Sequence, residues 1–75
     1  MKEFLELIAK SLVDNPDQVS VEVVETEKNI TLKLSVAQED IGKVIGKEGR
    51  IAKSIRTVIR AASRNTDKPV FVDIV

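Results

Sequence analysis

The chain has 75 residues, of which 43% are hydrophobic and 32% are charged, and these proportions are ordinary for one small globular domain. It contains no cysteine and no histidine, which excludes disulfides and thiolate metal sites and removes the usual general base. The first residues carry acids early, and no stretch approaches the ~20 apolar residues of a membrane span. We therefore expect a cytoplasmic, soluble protein with one domain over residues 1–75.

The net charge of zero conceals an asymmetry along the chain. Residues 1–42 carry four bases and nine acids, whereas residues 43–68 carry eight bases and two acids. A basic segment inside a neutral domain can form a local positive face without raising the overall isoelectric point. The distribution therefore directs attention to residues 43–68 as a surface for anionic partners.

The first half of the chain predicts one helix followed by two strands. Apolar residues recur at helical spacing over residues 2–13, and Pro16 ends this helix because it restricts the residue before it. Valines alternate with polar residues over residues 18–25, and the alternation returns over residues 30–36. Two alternating segments joined by a short polar turn predict an antiparallel hairpin.

The second half predicts two helices separated by glycines, and then a last strand. A short helix over residues 38–45 is interrupted by Gly46, and a longer helix occupies residues 50–64. One face of the longer helix is apolar, and the opposite face carries only bases. Those bases are Arg50, Lys53, Arg56, Arg60 and Arg64. The β-branched run over residues 70–75 predicts a buried strand.

The predicted order of elements, α-β-β-α-α-β, limits the fold. The second and third strands are joined through helices, so they are expected to be parallel and connected by a right-handed crossover. The prediction is an α+β fold in which a three-stranded mixed sheet carries helices on one face.

Residues 41–51, IGKVIGKEGRI, contain the pattern with the most specific chemistry. Gly46 and Gly49 let the backbone turn sharply and let a ligand come close, because glycine has no Cβ. Lys47 and Arg50 place cations there, and the start of the next helix adds unpaired N–H donors and a partial positive charge. The stretch predicts a site for a negatively charged backbone, and the alternative interpretation is a tight turn between two helices.

This stretch resembles the Ile-Gly-x-x-Gly loop of KH domains, which clamps a backbone of about four nucleotides. In this chain the loop is Ile45-Gly46-Lys47-Glu48-Gly49, and residues 41–44 before it and 50–55 after it also agree with the family pattern. The order of elements is that of the bacterial type II KH fold. The whole chain resembles the small single-domain bacterial KH proteins of the KhpA family.

The resemblance implies a function and a set of partners. It implies an RNA-binding protein that grips short single-stranded RNA and acts as a post-transcriptional regulator or RNA chaperone. It also implies pairing, as a homodimer or as a heterodimer with a larger KH-containing protein of the KhpB/Jag type. The residues that it assigns to RNA contact are Lys43, Ile45, Gly46, Lys47, Glu48, Gly49, Arg50, Ile51 and Lys53.

Within that set the resemblance assigns three roles. The loop residues 46–49 would contact the sugar-phosphate backbone, Ile45 and Ile51 would form an apolar floor, and the remaining cations would bind phosphates. Val70 and Val72 are candidates for the far wall of the base groove. Glu48 departs from this chemistry, since it places a carboxylate where a phosphate would approach.

Base stacking on aromatic rings is not expected. The only aromatic residues, Phe4 and Phe71, lie in apolar patterns, so we assign both to the core. Base recognition would then depend on aliphatic contacts and backbone hydrogen bonds, which predicts modest affinity and loose sequence preference.

Catalysis and protein interaction are the two alternatives to RNA binding. Catalysis is not expected, because the serines have no histidine to activate them and the loop lacks the G-K-[ST] ending of a P-loop. Glu39 and Asp40 are interpreted as partners of a helix dipole rather than as a catalytic pair. No metal or cofactor is expected. The remaining alternative is a KH-fold protein-interaction module that acts mainly as a dimer subunit.

Overall fold

The computed structural model describes residues 1–75 and contains the predicted elements in the predicted order. These are α1 (Lys2–Leu12), β1 (Ser20–Glu25), β2 (Ile30–Ser35), α2 (Ile41–Ile45), α3 (Arg50–Ala62) and β3 (Val70–Ile74). Short 3-10 turns precede β1, α2 and α3, at Pro16–Gln18, Gln38–Asp40 and Lys47–Gly49. None of the three α-helices has the length and apolar character needed to cross a membrane.

The three strands form one mixed sheet in the order β1-β2-β3. β1 pairs antiparallel with β2, and Val21 lies opposite Leu34 in this register. β2 pairs parallel with β3, and Leu32 lies opposite Val72. The α+β fold, the hairpin and the parallel pairing of the second and third strands are therefore confirmed.

The helices pack on one face of the sheet and enclose the core. Fully buried side chains come from every layer: Leu5 and Ala9 of α1, Leu34 of β2, Val44 of α2 and Ile59 of α3. The opposite face of the sheet is not covered by any helix. Its central row runs from Glu22 through Lys33 to Asp73, three polar residues that lie side by side across the strands.

Several boundaries differ from the predicted ones for local reasons. The helix predicted over residues 50–64 ends at Ala62, because Ser63 leaves helical geometry and its Oγ donates to the carbonyl of Ile59 at 2.7 Å. The strand predicted from residue 18 begins at Ser20, because Pro16–Gln18 winds into a 3-10 turn. The helix predicted from residue 38 likewise starts with a 3-10 turn.

The assignment of both phenylalanines to the core is wrong. Phe4 is 39% exposed at the edge of α1, and Phe71 is 43% exposed on β3. Phe71 lies opposite Thr31 and shares its face of the sheet, which no helix covers. The prediction of a buried strand over residues 70–75 holds for Val70 and Val72 but is wrong for Phe71 and Asp73, which lie on the uncovered face. The nearly continuous apolar run conceals a strand whose alternate residues face outward.

Candidate nucleic-acid interface

The loop between α2 and α3 is built from backbone conformations that favour glycine. Gly46 has φ 76° and ψ 175°, a region that only glycine occupies readily. Glu48 and Gly49 follow in the left-handed region, with φ of 58° and 74°. A Cβ on Gly46 would also lie 2.6 Å from Cγ1 of Ile51, whereas one on Gly49 would meet nothing within 4 Å. Both packing and backbone therefore require glycine at position 46.

Apolar residues on both sides of the loop anchor it to the core. Val44 of α2 is fully buried, and Ile45 and Ile51 are partly buried against the main cluster. The two isoleucines thus flank Gly46 as the predicted floor would require. The loop itself, at Lys47 and Glu48, is exposed.

A buried carboxylate fixes the start of α2. Asp40 is fully buried, and its oxygens accept hydrogen bonds from the backbone N–H groups of Asp14 and Asn15 at 3.3 and 3.0 Å. They also accept from Nδ2 of Asn15 at 2.9 Å and from Nζ of Lys43 at 3.3 Å. The segment after α1 is in this way fastened to the helix that leads into the loop. We call these four residues the Asp40 staple.

Contacts within the staple shift the pKa values of Asp40 and Lys43. Burial raises the pKa of Asp40, but the hydrogen bonds from Asn15, from the Asp14 backbone and from Lys43 outweigh it and hold that pKa below its ordinary value. The pKa of Lys43 is raised, first by its hydrogen bond to Asp14 and then by that to Asp40. The pair is thus held in its charged form.

In the structure, the ammonium group of Lys43 is already paired with two carboxylates and is not free to bind a phosphate. Its Nζ lies 2.6 Å from Oδ2 of Asp14 and 3.3 Å from Oδ1 of Asp40. A phosphate contact by Lys43 would have to share or replace the exposed Asp14 partner. Lys43 therefore has an evident structural role in addition to the predicted one.

Arg50 has a weaker partner within the loop. Its Nη2 lies 3.5 Å from Oε2 of Glu48, and both side chains are largely exposed. Exposed ion pairs of this kind contribute little to stability, so an incoming phosphate can exchange for the carboxylate at small cost. The ion pair between Glu48 and Arg50 thus has to break before Arg50 can bind a phosphate.

The remaining bases of the segment form an unpaired positive face. No acid lies within 4.0 Å of five cations, which are Lys47, Lys53, Arg56, Arg60 and Arg64. Three of them, Lys53, Arg56 and Arg60, line a shallow cavity of about 470 Å³ on the outer side of α3. The basic face predicted from periodicity is confirmed as an exposed surface, and the structure brings it next to the glycine loop.

The free edge of β3 lies beside this face and contacts it through Arg56. Nε of Arg56 donates to the carbonyl of Val72 at 3.2 Å. The side chains of Val70 and Val72 are each only 7% exposed and point into the core. The prediction that these side chains form the far wall of a groove is therefore wrong for both valines, because β3 presents its backbone edge there.

Sequence reasoning missed the Asp40 staple and the hydrogen bond from Arg56 to the carbonyl of Val72. The local pattern indicates only that Asp40 is a partner of the helix dipole, because nothing in it shows that Asp14 and Asn15, 25 residues and more away, lie against Asp40. One signal was present: Lys43 lies three residues after Asp40, the spacing of neighbours on a helix. No group of three or more acidic, histidine or cysteine residues is arranged to hold a metal ion.

Comparison of the sequence with protein families gives a match over nearly the whole chain. The family model described as "KhpA/KhpB, KH domain" matches residues 2–74. The chain is 61% identical over 75 residues to the RNA-binding protein KhpA of Clostridium acetobutylicum, with both chains fully covered. It is 46% identical over 74 residues to the RNA-binding protein KhpA of Aquifex aeolicus, covering 99% of this chain and 94% of that one.

Comparison of structures finds a similar fold inside a larger protein. A variant of Aquifex aeolicus Era bound to GDP and AlF4⁻ superposes over 97% of this chain with a TM-score of 0.68 at 20% identity. Era in complex with MgGDPNP and a segment of 16S ribosomal RNA superposes over 99% of this chain with a TM-score of 0.64 at 19% identity. The chain spans 28% and 30% of those two proteins, and at such identities the likeness concerns the fold alone.

Proposed function

The chain belongs to the KhpA/KhpB family of KH domains, and on this premise we propose that it binds short single-stranded RNA through the loop of residues 46–49 and the basic face of α3. The observation that carries the proposal is the unpaired positive face directly after a loop with three positive-φ residues. The relatives named RNA-binding protein KhpA support the same ligand class.

The loop supplies the contact with the RNA backbone. Gly46 and Gly49 have no Cβ, so a sugar-phosphate chain can lie directly against the peptide backbone. Lys47 has no acidic partner, and the first turn of α3 starts without a side-chain cap. Its N–H groups and the helix dipole therefore favour a phosphate at this point.

The surroundings of the loop supply the rest of the site. Ile45 and Ile51 offer an apolar floor for bases, and Lys53 and Arg50 extend the phosphate contacts along α3. Lys43 contributes mainly by holding α2 through the Asp40 staple. Binding of this kind reads little sequence, which suits a cytoplasmic RNA chaperone or a post-transcriptional regulator with many targets.

Reversing the charge of the loop tests the proposal. Changing Lys47 and Glu48 both to Asp replaces the cation of the loop by a second carboxylate where the phosphates approach, and we expect loss of RNA binding with the fold retained. The chain offers a matched control, because Lys2-Glu3 is the same dipeptide in the first turn of α1. The Lys2→Asp, Glu3→Asp variant has the same composition and should bind a mixed-sequence RNA as the unchanged protein does. Equal binding by the loop variant would show that the loop is not the contact.

Salt dependence provides a second readout of the same site. If about four phosphates are neutralised, log K should fall against log salt with a slope of roughly −3. A slope near zero would contradict a backbone clamp. It would favour the alternative function, a protein-interaction module with little direct RNA binding.

One observation favours pairing as a further role of the domain. Apolar side chains from α1 and α3 line an open groove of about 420 Å³ on the side of α3 away from Arg56. They include Phe4 and Val58, which are 39% and 43% exposed. The KhpA resemblance implies pairing, and we propose that a second copy of this chain covers this groove, while Lys53, Arg56 and Arg60 on the other side of α3 stay free for RNA. A larger KH-containing protein of the KhpB/Jag type would bind by the same surface.

A further inference from the structure

A separate cavity lies at the far end of the basic face. It has a volume of about 250 Å³ and is formed where the end of α3, the following turn and the start of β3 meet. Arg60 and Arg64 line it from the helix, Lys68 from the turn and Phe71 from the strand. Neither the glycine loop nor its apolar floor contributes to it.

The charges in this cavity leave two guanidinium groups without a protein partner. Lys68 is engaged, since its Nζ lies 2.7 Å from Oε2 of Glu25 and donates to the carbonyl of Thr26 at 2.9 Å. Asp67 also lines the cavity but forms no ion pair within 4.0 Å. Arg60 and Arg64 are likewise unpaired, so the cavity has an excess of positive charge that favours an anion.

The aromatic ring in the cavity is available for stacking. Phe71 is 43% exposed and stands on the uncovered face of the sheet at its free edge. Proteins that bind single-stranded nucleic acids combine exposed aromatic side chains with cations, since bases stack on the rings and phosphates bind the cations. Phe71 beside unpaired arginines is such a combination. Nothing in the core requires a phenylalanine at an outward-facing position of β3.

The cavity adjoins the basic face of the proposed RNA site. Arg60 lines both this cavity and the 470 Å³ cavity that it shares with Lys53 and Arg56. From Arg50 to Arg60 the helix rises about 15 Å at 1.5 Å per residue. An RNA chain that runs from the glycine loop along the basic face would therefore reach Phe71.

We propose that this cavity is a second RNA subsite, in which Phe71 stacks on one base outside the loop-bound segment while Arg60 and Arg64 bind the adjacent phosphates. The inference depends on the proposed function, because it concerns RNA that the loop already holds. It assigns to Phe71 a specific role that neither core packing nor the loop supplies. The protein would accordingly cover more RNA than the roughly four nucleotides that one KH loop holds.

The test compares RNAs of about four and about eight nucleotides in the unchanged protein and in Phe71→Leu, which keeps an apolar side chain but removes the ring. We expect the longer RNA to lose at least about fivefold in affinity in the variant, the lower end of what loss of one base–aromatic stack causes. The short RNA should bind both proteins equally. Phe71→Tyr is the matched control, since it keeps the aromatic ring at the same position and should bind the longer RNA as the unchanged protein does.

An abasic residue, placed in turn at each position of the longer RNA, separates stacking from charge. In the unchanged protein one position outside the loop-bound segment should lose affinity when its base is absent, and Phe71→Leu should be insensitive at that position. Equal affinity of Phe71→Leu and the unchanged protein for the longer RNA would overturn the subsite while leaving the loop site intact. Absence of binding to either RNA would overturn the proposed function and the subsite together.

Discussion

At the scale of single residues, glycine is favoured at positions 46 and 49 for different physical reasons. Gly46 occupies a backbone region that is essentially restricted to glycine and is packed against Ile51. Gly49 occupies the ordinary left-handed region and faces open space. The sequence motif makes the two positions look equivalent, and only the structure separates them.

Replacing each glycine by alanine should therefore give unequal losses of stability. Gly46→Ala combines a strained backbone with a clash against Ile51 and should lower the free energy of unfolding by about 2–4 kcal/mol. Gly49→Ala meets no atoms and should cost about 1 kcal/mol, the ordinary penalty of the left-handed region. Urea unfolding of the two variants measures the difference. Equal costs would show that packing on Ile51 does not constrain the loop.

Other residues show what a pattern can and cannot reveal. The assignment of Ile45 and Ile51 to an apolar floor followed from the resemblance to the KH loop and not from spacing, because the two residues lie on different helices. The left-handed conformation of Glu48 could not be predicted, since a glutamate carries no sequence signal for positive φ. The exposure of Phe71 also escaped prediction, because an apolar letter does not reveal whether a second layer covers its strand.

At the scale of elements, α2 is the part of the fold that depends most on a single side chain. It has only five residues and contains Gly42, so its intrinsic stability is low. The Asp40 staple compensates by tying the start of α2 to the segment after α1. The orientation of the glycine loop thus depends on a carboxylate outside the motif.

Asp40→Asn should lower the stability of the fold at neutral pH, because the amide replaces an acceptor oxygen by a donor that faces Asn15 and Lys43. The native pKa of Asp40 lies below its ordinary 3.8, so the stabilisation is complete above the unfolded-state pKa and is lost as the pH falls through the native pKa. The difference in urea midpoint between the variant and the unchanged protein should therefore narrow in acid.

Glu39→Gln provides the control for this prediction. Glu39 is the neighbouring carboxylate, but it is exposed and accepts only one hydrogen bond, from Nδ2 of Asn15 at 3.2 Å. Its neutralisation should leave the midpoint nearly unchanged at either pH. A constant difference between Asp40→Asn and the unchanged protein from neutral to acid pH would contradict the proposed charge state of Asp40.

The helices and strands themselves were largely predictable. Period-two alternation over β1 and β2 and the helical period of α3 each gave the right element, since burial of one face is what selects those residues. The ends were less predictable. They depend on local hydrogen bonds such as that of the Ser63 hydroxyl, which periodicity does not register.

At the scale of the whole molecule, the zero net charge conceals two distinct surfaces on α3. α3 presents a basic face toward the free edge of β3 and an apolar groove toward α1. The two surfaces lie on different sides of one helix and meet at Arg50 and Ile51, which line the loop end of the groove. RNA and a second protein chain can be bound together if the second chain leaves that end of the groove open. A dimer would place two loops on one RNA and raise its apparent affinity.

Val58→Asp should produce a monomer, because it places a charge in the apolar groove that a second copy would cover. Val58 is 43% exposed in the single chain, so the fold should tolerate the change. Val23→Asp is matched in chemistry and in exposure, at 46%, but lies on β1, and it should leave the assembly unchanged. Light scattering over a range of concentrations gives the mass. A monomeric unchanged protein at every concentration would contradict the pairing surface.

The central claim is that RNA lies against the glycine loop and the basic face of α3, and the most direct test maps the backbone amides by NMR while a short single-stranded RNA is added. We predict the largest shift changes at residues 45–51 and at Lys53, with smaller changes along the exposed side of α3. Changes confined to α1 and the apolar groove, or no changes at all, would contradict the claim.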